Sequence, residues 1–334
     1  MPKPHILIIS PALAKANNGN WQTAARWASF LRPQYQVTCT AWHSELPAHL
    51  APALVIALHA RRSAAAVGAF ARAQPAVPII LILTGTDLYR DIRDDPAAQD
   101  SLHQADHLVL LQPGGLTELG SNWRAKTSVI YQSAPHLKPS RRSPAPRHVN
   151  VVMIGHLRAE KDPATFLRAL TLTANPRLRF THIGSALESP LAQLAEQTAL
   201  LEQRYRWHGN LPHAVTRQRL KRSDLMVISS IMEGGANVII EAVTSDVAIL
   251  ASAISGNRGL LGDDYGGYFP VGDAAALAQL LERAAVDPDW LEMLRAQCRA
   301  RAHLFTPQRE RTAVRALVDN CLHLPTQRTP APTN

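Results

Sequence analysis

Short apolar runs recur along the chain, each closed by Gly, Ser, Asn or Thr and followed by a longer stretch whose apolar positions have helical spacing. In the first half the runs are residues 5–10 (HILIIS), 35–40 (YQVTCT), 53–58 (ALVIAL), 78–83 (PIILIL), 107–111 (HLVLL) and 127–131 (TSVIY). Strands alternating with helices predict βαβ units and a parallel sheet. A stretch rich in Pro and Arg, 135–147, suits neither element, and the pattern then starts again: 148–155 (HVNVVMIG), 177–184 (RLRFTHIG), 205–209 (YRWHG), 224–230 (DLMVISS) and 247–252 (VAILAS). After Asp273 the pattern is helical, with Pro288 and Pro307 at helix starts.

The expected fold class is therefore α/β, with two doubly wound Rossmann-like domains. Residues 1–137 form the first, 138–147 the linker and 148–306 the second; a C-terminal helix, 307–322, crosses back onto the first domain, and 323–334 is a frayed tail. A length of 334 residues agrees with two domains of ordinary size.

Composition narrows the function classes. With 46% hydrophobic and 18% charged residues the chain has a globular balance, and no apolar run approaches a membrane span or a signal peptide, so a cytoplasmic location is expected. Three cysteines without metal-ligand spacing, Cys39, Cys298 and Cys321, read as reduced and structural. Residues 1–147 carry 15 Lys/Arg against 8 Asp/Glu, the remainder 20 against 18. This N-terminal excess does not point to nucleic acid, because aromatics are only 5% and no stacking motif accompanies it; a small anionic substrate accounts for it equally well.

Ligands of open α/β sheets bind beyond the carboxyl ends of the strands, so the residues after each run are the candidates. After the first strand Asn17, Asn18, Gly19 and Asn20 form an anion cradle before a helix, although Asn and Gly also serve strand-to-helix turns. Strands three and four end in His59, Arg61 and Arg62, and in Thr84, Gly85, Thr86, Asp87 and Arg90, on one edge facing the interdomain cleft. Asp87 is a helix cap or a catalytic group. In the second half Gly155 closes a strand and Lys161 precedes a helix starting near Asp162 and Pro163, within reach of a diphosphate. Glu233 lies in a glycine loop and Glu241 in the following helix, while Gly234, Gly235, Ala236 and Asn237 between them offer backbone N–H groups to phosphate. The adjacent pairs Asp94–Asp95 and Asp263–Asp264 read as solvated, and no metal site is expected.

The stretch EGGANVIIEA, with the downstream ASAISGN and GYFPVGD, resembles glycosyltransferase family 4. The resemblance implies the GT-B fold, a nucleotide-sugar donor held by the C-terminal half, Glu233 on donor-sugar hydroxyls, Glu241 on the ribose and Lys161 on the diphosphate. Gly155, Gly184 and Ser185 fall in the implied donor site. The family's Arg after the strand glycine is His156 here, with Arg158 two positions on, and its histidine after strand four is Thr84. More narrowly, ANNGNWQTAARW, ALHARRSA, LTGTDLYRDI, VIYQSAP, GHLRAEKDP and EGGANVIIEA resemble the selenosugar synthases of selenoneine biosynthesis over about residues 4–320. That likeness implies a UDP-sugar donor such as UDP-N-acetylglucosamine, selenophosphate as acceptor, and a selenosugar, UDP and phosphate as products, with no resident cofactor.

On this reading Glu233, Lys161, Arg158 and Asp87 form the catalytic set. The anionic acceptor sits among Asn17, Asn18, Gly19, Asn20, His59, Arg61, Thr84, Gly85 and Thr86. Two other readings stay open. An ordinary family 4 transferase acting on a hydroxyl would need Asp87 as its base, and a regulatory protein would bind UDP-sugar without turnover.

Overall fold

The computed structural model describes residues 3–13, 19–41, 51–138 and 147–323. They fall into two compact units, Met1–Gln132 with Pro307–Asn334, and Ser133–Thr306.

In the first unit the chain runs β1 (His5–Ile9), α1 (Gly19–Leu31), β2 (Gln36–Thr40), β3 (Leu54–Leu58), α2 (Ala64–Ala73) and β4 (Ile79–Leu83). A single π turn, Asp87–Asp91, leads into α3 (Ile92–Asp94), α4 (Pro96–Gln104), β5 (His107–Leu110), α5 (Ser121–Arg124) and β6 (Thr127–Val129). All pairings are parallel, in the order β2-β1-β3-β4-β5-β6, so the strand order reverses between β1 and β3. Strands β3 and β4 consist almost wholly of Leu, Val and Ile because both faces of the sheet are covered. One face packs against α1, through Trp27, Phe30 and Leu31.

The second unit runs β7 (Val149–Ile154), α6 (Pro163–Leu172), β8 (Leu178–Ile183), α7 (Ser189–Leu201), β9 (Tyr205–Trp207), α8 (His213–Arg222) and β10 (Leu225–Ile228). It continues with α9 (Asn237–Val243), β11 (Ala248–Ser252), α10 (Ser255–Leu261), β12 (Tyr268–Phe269), α11 (Ala274–Val286) and α12 (Pro288–Arg301). Its parallel order, β12-β11-β10-β7-β8-β9, is the doubly wound dinucleotide-fold order, and the reversal lies between β7 and β10. The two-residue strand β12 was not among the expected strands. It lies inside GYFPVGD, too short to show any alternation.

The last helix, α13 (Pro307–His323), belongs to the first unit, where Val314, Leu317 and Val318 enter the core beside Trp27 and Leu31. Its Glu310, almost fully buried, accepts hydrogen bonds from Trp27 Nε1 at 2.9 Å and Arg26 Nε at 2.7 Å. These bonds orient the helix, which apolar contacts alone would not. Residues 133–137, placed by sequence in the first domain, join the second unit, because the Ala134 N–H donates to Phe305 O, the Leu137 N–H to Thr244 O and Arg217 to Pro135 O. Among the described residues no helix is long and apolar enough to cross a membrane.

Candidate functional site

In the second unit the loops after β7 and β10, which flank the reversal of strand order, converge. The Gly155 N–H donates to Ile183 O at 2.9 Å and the Leu157 N–H to Ser185 O at 2.8 Å, so the loop after β7 is laced to the loop after β8. The approach is close enough to require glycine: a Cβ on Gly184 would lie 1.9 Å from Gly155 O. Beneath them His182, fully buried, bonds Gly155 O through Nε2 and Tyr205 Oη through Nδ1, each at 3.2 Å. Burial depresses its pKa to about 4, so the ring is neutral. Donation from Nε2–H to the carbonyl then leaves Nδ1 to accept from the phenol.

His156 accepts the Ser185 N–H on Nδ1 at 3.1 Å. Burial, with help from Arg158 and Lys161, lowers its pKa. Its neutral tautomer therefore carries the proton on Nε2. Arg158 Nε is buried without a hydrogen-bond partner, 3.9 Å from Glu160 Oε2.

Lys161 ends a short 3-10 turn, Ala159–Lys161, and is followed by Asp162 in the left-handed region at φ 43°. Asp162 caps α6, accepting the Thr165 N–H at 3.1 Å and its hydroxyl at 2.6 Å, and Pro163 fills the first helical position. Ser229, just beyond β10, donates to the carbonyls of Lys161 and Asp162 at 3.1 and 2.8 Å. The lysine turn is thus fixed to the strand that leads to Glu233.

Glu233 is mostly buried, and its Oε1 receives both Lys161 Nζ and, at 2.6 Å, Ser230 Oγ. Behind it Ser252 Oγ donates to Ser230 O at 2.5 Å, and Asn257 Nδ2 to Ser252 O and Oγ at 2.9 and 3.1 Å. A Cβ on Gly256 would sit 2.0 Å from Glu233 O, which lets α10 press directly on the glutamate's backbone. Gly234, Gly235 and Ala236 lead into α9, which begins at Asn237 without a side-chain cap. Glu241, in its second turn, is mostly buried and pairs through Oε1 with His213 Nε2 at 2.6 Å. The sequence reading did not single out Ser230, Ser252, Asn257, His182 or His213. The partners of the first three are formed by loop closure across 3 to 22 residues, and nothing in their spacing marks them.

In the first unit the ends of β3 and β4 meet as expected, but the roles differ. Asp87 is fully buried, and its carboxylate accepts the N–H groups of Thr84 at 3.0 Å, Gly85 at 2.7 Å and Ala60 at 2.9 Å. It is an anchor. With no exposed surface and both oxygens engaged by backbone, it does not have the free lone pair that a catalytic base requires, which corrects its place in the catalytic set. The anchor holds His59 at φ 73°, a left-handed conformation that costs a β-carbon residue free energy. His59 Nε2 pairs with Thr86 Oγ1 at 3.0 Å, and burial lowers its pKa, with Asp87 opposing the fall. Arg61 is not a free cation, since its Nε bonds Asp91 Oδ2 at 3.0 Å and lies 4.0 Å from Asp95. Asp95, expected to be solvated, caps α4 through the Ala98 N–H. Gly19 and Asn20 open α1, where Thr23 Oγ1 returns to Gly19 O at 2.9 Å. Asn17 and Asn18 lie outside the described residues.

Residues 141–304 match the family model described as Glycosyl transferases group 1. The second unit is thus similar to group 1 glycosyltransferases. Over the whole chain, solved structures share the fold. Sucrose-phosphate synthase (tll1590) from Thermosynechococcus elongatus superposes with a TM-score of 0.77 at 18% identity, covering 95% of this chain and 99% of that one. Anabaena Alr3699/HepE, solved in complex with UDP and glucose, gives 0.74 at 15%, covering 95% and 100%. A glycosyltransferase from Rickettsia africae gives 0.70 at 13%, covering 96% and 99%. No curated protein matches the chain by sequence. The matched segment contains Lys161, Glu233, Glu241 and the loops that hold them, in a chain with the two-Rossmann GT-B fold.

Proposed function

We propose that the chain transfers a sugar from a UDP-sugar to selenophosphate. The observation that carries the donor half is the pair formed by Lys161 and Glu233, an ammonium and a carboxylate locked on each other at the reversal of strand order. Both partners are side chains, and a ligand that brings its own anion and its own hydroxyls replaces each contact with an equivalent one. Lys161, Arg158 and the neutral Nε2–H of His156 then take the diphosphate, Glu233 the sugar hydroxyls and Glu241 the ribose, with Gly155, Gly184, Ser185 and the Gly234–Asn237 backbone lining the loops. HepE, of the same fold, has been solved with UDP-glucose.

A second observation favours an anionic acceptor over a hydroxyl. A hydroxyl must lose a proton as it attacks, and the aspartate that would take it, Asp87, is committed to three backbone N–H groups. Selenophosphate arrives ionised. Its selenium forms the bond to the anomeric carbon as the bond from that carbon to the UDP oxygen breaks, and UDP departs with the electron pair onto the cations. Water then cleaves the selenium–phosphorus bond, giving phosphate and the selenosugar. Gly19, Asn20, His59, Thr84, Gly85 and Thr86, with Asn17 and Asn18, remain the acceptor's seat on this reading, and Arg61 contributes only while it shares its charge with Asp91. The reading needs no metal, since lysine and arginine meet the leaving group.

The test is mass spectrometry of the products from UDP-N-acetylglucosamine, with and without selenophosphate and with a chelator present. A selenium-containing sugar that forms only with both substrates is expected, and Lys161→Ala should lower its rate about 30-fold, the value of one charge-assisted hydrogen bond. Sugar transfer to a hydroxyl compound with no selenium product would replace this acceptor with the ordinary family 4 one. Absence of any heat of UDP binding would remove the donor as well.

A further inference from the structure

Glu241 has two neighbours on α8 that the donor reading does not use. His213, the first residue of that helix, places Nε2 2.6 Å from Glu241 Oε1, and its side chain is 45% exposed. One turn on, Arg217 is buried; its Nη2 bonds Pro135 O at 3.0 Å and Ser245 Oγ at 3.2 Å, while its Nε is buried with no hydrogen-bond partner. Burial lowers the Arg217 pKa and the nearby Glu241 charge opposes that fall. The two residues differ in kind. Arg217 is tied to backbone and to the turn after α9, and supplies a fixed charge. His213 makes the hydrogen bond, and makes it to one carboxylate oxygen only; among the described residues Oε2 of Glu241 receives none.

A glutamate has three torsions to freeze before its carboxylate can accept two vicinal hydroxyls, and a contact that freezes them beforehand raises affinity without touching the ligand. We propose that His213 is a positioning residue for the donor nucleotide: by holding Oε1 it sets Glu241 in the rotamer whose other oxygen receives the ribose hydroxyls. This rests on the assignment of Glu241 to the ribose above. It also predicts which replacement works, since a glutamine amide can donate to Oε1 from the same position and an alanine cannot.

The experiment is calorimetry on the full chain with UDP and with 2′,3′-dideoxy-UDP, for the native protein, Glu241→Gln, His213→Ala and His213→Gln. Loss of His213 should weaken UDP about tenfold, the scale of a hydrogen bond to a charged group, while leaving the dideoxy nucleotide within about twofold. His213→Gln should restore UDP binding to within roughly threefold of native, as a neutral donor replaces the imidazole. Equal weakening of both nucleotides by His213→Ala, or no weakening of either, overturns the inference and leaves the donor reading intact, provided Glu241→Gln still weakens UDP. Native protein that binds both nucleotides equally well removes the ribose role of Glu241 and this inference with it. Native protein that binds neither removes the donor reading itself.

Discussion

Two buried carboxylates beyond strand ends, Asp87 in the first unit and Glu233 in the second, share a place in the catalytic set expected from sequence and turn out to be different devices. Asp87 is met by backbone N–H groups from two loops, Ala60 after β3 and Thr84 and Gly85 after β4. Glu233 is met by two side chains, a lysine ammonium and a serine hydroxyl, both on one oxygen. Backbone donors cannot leave without moving the chain, so the first carboxylate is spent on structure. Side-chain donors can turn to a ligand, so the second is available to one. Burial alone does not separate the two; the origin of the hydrogen bonds does.

The strongest way to break this comparison is Asp87→Ala. It strands the buried Ala60 N–H and the half-buried N–H groups of Thr84 and Gly85, and releases His59 from its left-handed conformation. It should destabilise the first unit by about 4 kcal/mol, since leaving buried donors unpaired costs on the order of 1 to 3 kcal/mol each, with partial relief from relaxation and water. Urea unfolding measures the loss, and calorimetry should show UDP binding unchanged, because every donor contact assigned above lies in the other unit. A variant of native stability whose transfer rate collapses would return Asp87 to the chemistry.

How much of this was legible in the sequence follows from the same distinction. The apolar runs gave eleven of the strands because Ile, Leu and Val continue through both buried faces, while the two-residue β12 had no pattern to give. Lys161, Glu233 and Glu241 were visible because each sits at a fixed offset from a strand end or helix start. The anchor role of Asp87 was not, for its partner Ala60 is 27 residues away and only the pairing of β3 with β4 brings the two loops together. His213 carried no mark beyond a helix start, and its function depends on Glu241, 28 residues on.

Acid supplies the next test, through a buried histidine of the second unit. His182 sits under Gly155 with its pKa depressed to about 4 by burial, below the ordinary 6.5. The unfolded chain therefore binds a proton between these values that the folded chain refuses, so the stability it contributes is present above pH 6.5 and falls as pH drops toward 4. The loss amounts to about 3 kcal/mol at about 1.4 kcal/mol per unit. Urea titrations at pH 7, 5.5 and 4.5 should show the second unit weakening, and His182→Phe, which keeps the aromatic packing against Phe166 and loses the proton, should show a smaller slope. An acid response identical in the variant would mean that other groups set it.

The smallest effect sharpens the comparison most, because it asks whether the bonds to Glu233 serve chemistry or structure. Ser230→Ala removes one of two donors on Oε1 and leaves Lys161 in place, so the carboxylate keeps its charge partner and loses part of its orientation. A hydroxyl bond to a carboxylate is worth about 1.5 kcal/mol, roughly tenfold in kcat/KM. The loss should fall on transfer and not on UDP affinity, since Glu233 is assigned to the transferred sugar, which UDP lacks. Ser252, itself held by Asn257, continues to hold the backbone carbonyl of residue 230, so the loop itself is expected to stay where it is. If Ser230→Ala instead lowered the stability of the unit and left the rate of transfer untouched, Glu233 would be a structural carboxylate of the same kind as Asp87, and the distinction between backbone and side-chain donors would fail at the residue where it matters most.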